Sequence, residues 1–504
     1  MKKAFILSVI LFFGSISILF AQSEVKAIDQ LVEKARKKWN VPGMSVAVVK
    51  NGNVLLSKGY GVLEEDQKEK VSAETLFAIA SNTKGFLSSA IAVLVSEGKI
   101  NWDDKVVDYL PYFKLYDPYV TNEVTIADLL SHRVGLGTFS GDAIWYKSEL
   151  PATEIVKLAA NVPQAYSFRA GYGYSNLMFI AAGEVVREVT GKPWNEYVAD
   201  IFFKPLSMDR TITSVKKLDE TGNFATPHKT VLNQNTPIKW ENWDNMSAAG
   251  AIISSANDMA KWMMMHLNDG MYKGSTILDP GQQNKLWTIH NSTELSTEAK
   301  KTIPGRHFSG YGLGFGLQDY YGRMMVSHTG GYDGMYSKVV MLPEENIGIT
   351  ILTNSMTGII NPLSYAIVNE LINEDNRDWI NSMYKAQSEN EEVVALREAR
   401  RENTRPTLSP DKYTGEYMAD MYGDISVKLK DGRLKLYFSH SPDLSATLSH
   451  WHYDTYKIDW DQTHAWFDFG LVTFELDDKL AVTGMKMNVP NGDIFFHEYE
   501  IVKK

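Results

Sequence analysis

Phe77-Ala78-Ile79-Ala80-Ser81-Asn82-Thr83-Lys84-Gly85-Phe86-Leu87 sets a serine one helical turn before a lysine, where an apolar approach becomes an apolar helix running to Val95. Residues three apart share a helix face, so hydroxyl and amine meet within hydrogen-bonding reach. A neutral lysine in that position can act as base toward the hydroxyl. Neutrality demands burial, since an ordinary lysine must be shifted by roughly three pKa units, at about 1.4 kcal/mol each. Spacing alone carries little weight, because the same pattern recurs at Ser23, Ser96, Ser214, Ser382 and Ser409. The apolar surroundings single out Ser81 and Lys84.

Before this stretch, 26–39 has helical spacing, with Ile28, Leu31, Val32 and Ala35 on one face. Residues 41–61 read as two strands around Asn51-Gly52, a strong hairpin turn. After it, 100–300 is mostly helical with loops. Strands return near Tyr311, at 324–328, 337–342 and 347–352, with a turn at Pro343-Glu344-Glu345-Asn346 and a closing helix over 362–372. Gly310, Gly312, Gly314 and Gly316 alternate as if to keep one face of a neighbouring strand bare. A single sheet built from both ends of the chain and facing a helical insert accounts for this order. The charged stretch 386–406 reads as a linker. Beyond it, 424–430, 433–438, 453–459, 465–469, 471–476, 480–487 and 493–499 read as short strands, the pattern of a separate β-barrel or sandwich. Its aromatics, Trp451, Tyr453, Tyr456, Trp460, Trp466, Phe467 and Phe469, either fill that barrel or line a ligand cavity.

The chain has 504 residues, 44% hydrophobic and 22% charged, which fits two or three ordinary globular domains. With no cysteine there is no disulfide, thiolate nucleophile or iron–sulfur cluster. The formal charge of −10 argues against a nucleic-acid surface. Lys2 and Lys3, an apolar run over 4–20 and Ala21 form a secretory signal peptide over 1–21. The expectation is an exported protein, periplasmic or secreted, touching a membrane only if that segment stays uncleaved. No later run approaches the ~20 apolar residues of a spanning helix.

Two more motifs carry chemistry. Gly171-Tyr172-Gly173-Tyr174-Ser175-Asn176 combines backbone freedom with a phenol and an amide two residues apart. Tyr174 can share a proton with Lys84, and Asn176 can donate to a substrate carbonyl. No strand–GxGxxG–helix unit surrounds these glycines, so a nucleotide cofactor is not indicated. His328-Thr329-Gly330-Gly331 ends a strand, where the glycine pair lets a substrate lie along the edge as an added strand would. The histidines lack H-E-x-x-H spacing, and neither a metal nor any other cofactor is expected.

In this order the three motifs resemble the S-x-x-K, Y-x-N and K-T-G or H-x-G set of the serine β-lactamase and penicillin-binding-protein superfamily. The resemblance is closest to the class C, peptidase S12-like branch. Residues 126–136, with His132, Arg133 and Gly135, are similar to an accessory segment of that family, as are 248–260. The tail from about 408 resembles an appended lipocalin-like domain. The resemblance implies an α/β (α+β) β-lactamase/transpeptidase-like fold: an antiparallel sheet from both chain ends, a helical subdomain and a separate all-β barrel. The implied organisation is a signal peptide over 1–21, a hydrolase domain over 22–385, a linker over 386–406 and the barrel over 407–504.

It also implies roles. Ser81 becomes the acylated nucleophile, Lys84 and Tyr174 the base system, and Asn176, His328, Thr329 and Gly330 the substrate-binding groups. The backbone N–H groups of Ser81 and Gly331 become the oxyanion hole. His328 stands where lactamases and carboxypeptidases usually carry lysine, so the permanent charge that holds a substrate carboxylate is missing there. The favoured expectation is a D-aminopeptidase-, peptidase- or esterase-like serine hydrolase acting on small peptides or acyl compounds. A D-alanyl-D-alanine carboxypeptidase or β-lactamase is one alternative, and a non-catalytic cell-wall or ligand-binding protein is another. A small molecule or peptide is the expected partner; oligomeric state is not legible in the sequence. The turn at His132-Arg133 is read as structural rather than as a second charge centre.

Overall fold

The computed structural model describes residues 22–303, 305–374 and 377–504; the expected signal peptide lies outside them. A helix over 22–38 (α1) leads into strands β1 (Gly43–Lys50) and β2 (Asn53–Gly61). Asn51 and Gly52 both take positive φ, the geometry that matches a two-residue turn to the twist of its strands. The helical insert follows, with α2 (Thr83–Ser96), α3 (Asn176–Thr190) and α4 (Ala256–Leu267) as its longer members. The chain then returns through β3 (Asn291–Ser292), β4 (Ser309–Tyr311), β5 (Gly316–Tyr320), β6 (Arg323–Tyr332), β7 (Met335–Leu342) and β8 (Ile347–Thr353) to helix α5 (Ile360–Ile372).

The sheet order is β2-β1-β8-β7-β6-β5-β4-β3, antiparallel throughout, so the domain's first and last strands, β1 and β8, pair side by side. Strand residues alternate between two cores. Val46, Val48, Ile349 and Ile351 pack with Ile28 and Val32 of α1 and Leu363 and Ile367 of α5. Ala47, Val49 and Leu352 face Met259 and Met263 of α4 on the other side. Helix α2 is buried on almost every face, with Phe86 stacked on Trp262 at 3.7 Å between ring centres.

The alternating glycines do not form one bare strand face. Gly310 and Gly316 belong to different strands, and between them Gly314 turns with φ +79. A Cβ on Gly314 would meet Ser88 Oγ at 2.4 Å and Lys84 O at 2.7 Å, so the turn packs on the helix that carries the lysine.

The C-terminal part is a closed barrel of β9 (Gly415–Ala419), β10 (Gly423–Lys430), β11 (Arg433–Phe438), β12 (Ala446–His452), β13 (Thr455–Trp460), β14 (Leu471–Leu476), β15 (Val482–Asn488) and β16 (Ile501–Lys503). Tyr413, Tyr456 and Phe474 crowd together, with ring centres 4.8 to 5.6 Å apart. Two segments expected as strands are not: 465–469 is a loop and 493–499 a loop with a 3-10 turn at Phe496–Glu498, while β9, β12 and β16 appear where none was expected. The charged stretch read as a linker carries a helix, α6 (Glu391–Glu398), whose Val393 packs on Trp451 and Phe469.

The barrel rests on the N-terminal domain. Lys229 of the insert binds the carbonyls of His464 and Phe467 and the carboxylate of Asp468. In return, the Glu498 carboxylate accepts from Ser140 Oγ and from the N–H of Gly141.

Candidate active site

Ser81 sits in a 3-10 turn, Ala80–Asn82, immediately before α2. Ala80 takes φ +45, a left-handed conformation that costs an L-residue about 1 kcal/mol and persists only where neighbours hold it. They do. Ile79 O accepts from Ser337 Oγ at 2.7 Å and from Asn82 Nδ2 at 3.1 Å, and Ile79 N donates to Ile252 O at 3.0 Å.

Lys84 lies one turn on, wholly buried. Its Nζ reaches Ser81 Oγ at 3.0 Å, Asn176 Oδ1 at 2.7 Å and Ala249 O at 2.9 Å. Burial lowers its pKa to about 7, so a large share is the free amine near neutrality. Tyr174 lies beside the pair: its side chain bonds that of Ser81, and its ring centre is 4.8 Å from Lys84 Nζ. Burial pushes the phenol well above 10, so Tyr174 is neutral and available as a donor. His132 packs against the Tyr174 ring at 4.3 Å, buried, with φ +57. Its pKa falls well below 6.5, so it is a neutral wedge, and its Nδ1 accepts from Ser175 N–H at 3.1 Å. Arg133 turns away to pair with Asp128.

Asn176 opens α3 with both ends of its amide engaged. Oδ1 accepts from Lys84, and Nδ2 donates to Asp142 Oδ2 at 2.6 Å. It lines the cleft, where a substrate carbonyl is its expected partner, and it joins Lys84 to a buried carboxylate. Burial raises Asp142 to about 8 against the pull of Lys84, so the two titrate as a pair. Whatever fraction of Asp142 is ionised favours protonated Lys84, and Asp142→Asn removes that pull. The acid limb of kcat/KM is therefore expected to move to lower pH, and a pH–rate series checks it.

On β6, His328 Nδ1 lies 2.6 Å from Thr329 O and Nε2 lies 2.7 Å from Tyr311 Oη. A carbonyl only accepts, so Nδ1 carries the proton and Nε2 receives the Tyr311 hydroxyl. Burial and nearby Lys84 hold the ring neutral, with a pKa of about 3. Strand β5 pairs with β6 only as far as Gly316↔Ser327, so from His328 onward that edge has no strand partner among the described residues and faces the cleft. Thr329 is exposed there. A Cβ on Gly330 would come within 2.1 Å of Ile79 O, the carbonyl that fixes the serine turn. Gly330→Ala is expected to cost about 1–3 kcal/mol of stability and, by moving Ser81, roughly a hundredfold in kcat/KM. Thermal unfolding and steady-state kinetics check both.

The cleft has a volume of about 540 Å³, in the range of small-molecule sites. Ser81, Tyr174, Asn176, His328, Thr329 and Gly331 all line it, while Lys84 lies beneath. Sequence reading missed Asp142, Tyr311, Arg306 and the barrel's Asp493, and placed Trp466 within the barrel rather than at this cleft. Trp466 stands 3.2 Å from where a Gly331 Cβ would be and bonds the buried carboxylate of Asp333.

A serine in contact with a buried, partly neutral lysine, beside a neutral phenol and a free strand edge, defines a serine acyl-transfer site. Residues 28–363 match the Beta-lactamase family and 399–503 a domain of unknown function, DUF3471. The chain belongs to the beta-lactamase family and is a serine hydrolase. It is 30% identical over 436 residues to the Unguisins hydrolase ungD' of Aspergillus campestris, covering 81% of this chain and 78% of that one. An octameric penicillin-binding protein homologue from Pyrococcus abyssi shares the fold over 95% of this chain and 100% of that one, with a TM-score of 0.62 at 20% identity. A D-stereospecific amidohydrolase from Streptomyces matches 68% of this chain and 97% of its own, with a TM-score of 0.54 at 21% identity.

Proposed function

We propose that this chain is an exported hydrolase that cleaves amide or ester bonds of small peptides or acyl compounds through an acyl-enzyme on Ser81. The observation that carries this reading is Lys84: buried, partly neutral at pH 7 and 3.0 Å from the Ser81 hydroxyl. Lys84 takes the Ser81 proton as Oγ attacks the substrate carbonyl. Tyr174, hydrogen-bonded to Ser81, returns a proton to the leaving group. The N–H groups of Ser81 and Gly331 receive the oxyanion, each such donor lowering the barrier by about 3–4 kcal/mol. Water then attacks the acyl-enzyme by the reverse proton path. Thr329, Gly330 and His328 hold the substrate along the β6 edge. Export rests on the sequence of residues 1–21 alone, and implies a periplasmic or secreted enzyme.

The neutral His328 offers a substrate carboxylate no charge of its own, which favours amide and ester substrates over reactions anchored at that position as in lactamases and carboxypeptidases. The amidohydrolase neighbour and the hydrolase relative support the same reading by likeness. Because the amine form of Lys84 is the active one, kcat/KM is expected to rise with pH to a midpoint near 7. A profile flat between about pH 6 and 8 would remove Lys84 as base.

A further inference from the structure

We propose that the cleft is bipolar and takes short peptides or amino-acid derivatives bearing both a free ammonium and a free carboxylate, received by Asp493 and Arg306 respectively. This rests on the Ser81 acyl-enzyme reading and names its substrate class.

Asp493 belongs to the barrel, yet it lines the cleft with Trp466 and Ile494. Its loop is stiff, since Asn491 Oδ1 accepts from the N–H groups of Asp493 and Ile494 at 3.0 and 2.6 Å. Glu498, five residues on, anchors the same segment to Ser140 and Gly141. The Asp493 carboxylate itself has no hydrogen bond or ion pair among the described residues, although it is half-buried. Burial raises it only to about 6, so it is ionised at neutral pH. A half-buried charge without a partner carries a desolvation cost that an incoming cation offsets.

Arg306 is the complementary case. It is half-buried and lines the same cleft. Its guanidinium donates to Ser309 Oγ at 2.8 Å, its Nε is buried without an acceptor, and no carboxylate pairs with it among the described residues. A guanidinium presents a planar fork that suits a carboxylate, and here it supplies the permanent positive charge that His328 lacks. The two charges reach the cleft from different parts of the chain. Arg306 precedes β4 and bonds its Ser309, whereas Asp493 comes from the barrel, whose Trp466 stands over Gly331 of β6.

The test is cleavage of trialanine, in both enantiomeric series, by the full mature chain. Free, N-acetylated, C-amidated and doubly capped forms are compared by mass spectrometry. In whichever series is cut, each cap is expected to lower kcat/KM about 10- to 100-fold. In Asp493→Asn the acetyl penalty should collapse while the amide penalty stays; Arg306→Gln should do the reverse. If Asp493→Asn does not fold, Asp493→Ser replaces it. Equal rates on capped and free peptides, penalties that persist in the variants, or no peptide cleavage beside steady turnover of a neutral activated ester would each overturn the bipolar cleft. Loss of that ester turnover too, in the wild-type chain, would instead overturn the Ser81 reading.

Discussion

Ser81→Ala is expected to lower kcat by roughly four to six orders of magnitude on any substrate the wild-type chain turns over, with stability changed by no more than about 0.5 kcal/mol. The two halves have separate causes. Oγ is the atom that forms the covalent bond, and among the described residues no other hydroxyl is placed 3.0 Å from Lys84 Nζ with a phenol bonded to it. The fold does not depend on it: Ser81 faces the cleft, and Lys84 keeps Asn176 and Ala249 as acceptors. Steady-state kinetics beside a melting curve separates the effects. Activity retained in a folded variant would end the assignment.

Lys84→Met should cost roughly 10²–10⁴ in kcat and abolish the acid limb near pH 7, since it removes the proton acceptor and keeps the side-chain volume. It also has a signature in stability. Lys84 is held near 7 in the folded chain against 10.5 when exposed. Between those values the unfolded chain binds a proton that the folded one does not, so raising the pH favours folding. Asp142, raised to about 8, acts the other way below that pH. Above pH 8 the lysine effect stands alone in the pair. Wild type should therefore gain on Lys84→Met by up to about 1.4 kcal/mol per pH unit between pH 8 and 10. Denaturant midpoints at several pH values would show it; parallel curves would mean that Lys84 is protonated in the fold.

The parts of the fold legible in the sequence are those where local pattern and tertiary demand agree. Asn51-Gly52 is a hairpin turn by its own chemistry, and β1 and β2 close on it as expected. Strands β6 to β8 and helix α5 follow from apolar runs punctuated by Pro343 to Asn346, whose Asn346 turns the chain with φ +49. Ser81, Lys84, Tyr174, Asn176 and His328, read from three separate motifs, lie around one cleft or directly beneath it.

Illegible were the contacts with no local pattern. Asp142 is 34 residues from the amide it binds, in a segment with no motif, so nothing local marks it as the partner of Asn176 and, through it, of Lys84. The barrel shows the limit most clearly. Residues 465–469 and 493–499 are short and rich in aromatic groups, and so imitate strands. Their aromatics instead answer packing at the domain contact, where Trp466 and Asp493 reach the cleft and Phe467 lies 6.0 Å from the Tyr146 ring of the insert. Strand-like composition cannot distinguish a neighbouring strand from a neighbouring domain.

The central claim is that a covalent acyl group forms on Ser81. The most direct measurement is the intact mass of the mature chain after brief exposure to an activated short-chain ester, beside Ser81→Ala, with peptide mapping of any adduct. One added acyl group on the peptide containing Ser81, or steady ester turnover that vanishes in the variant, is the predicted result. An adduct on another residue, or turnover that survives in Ser81→Ala, would contradict it.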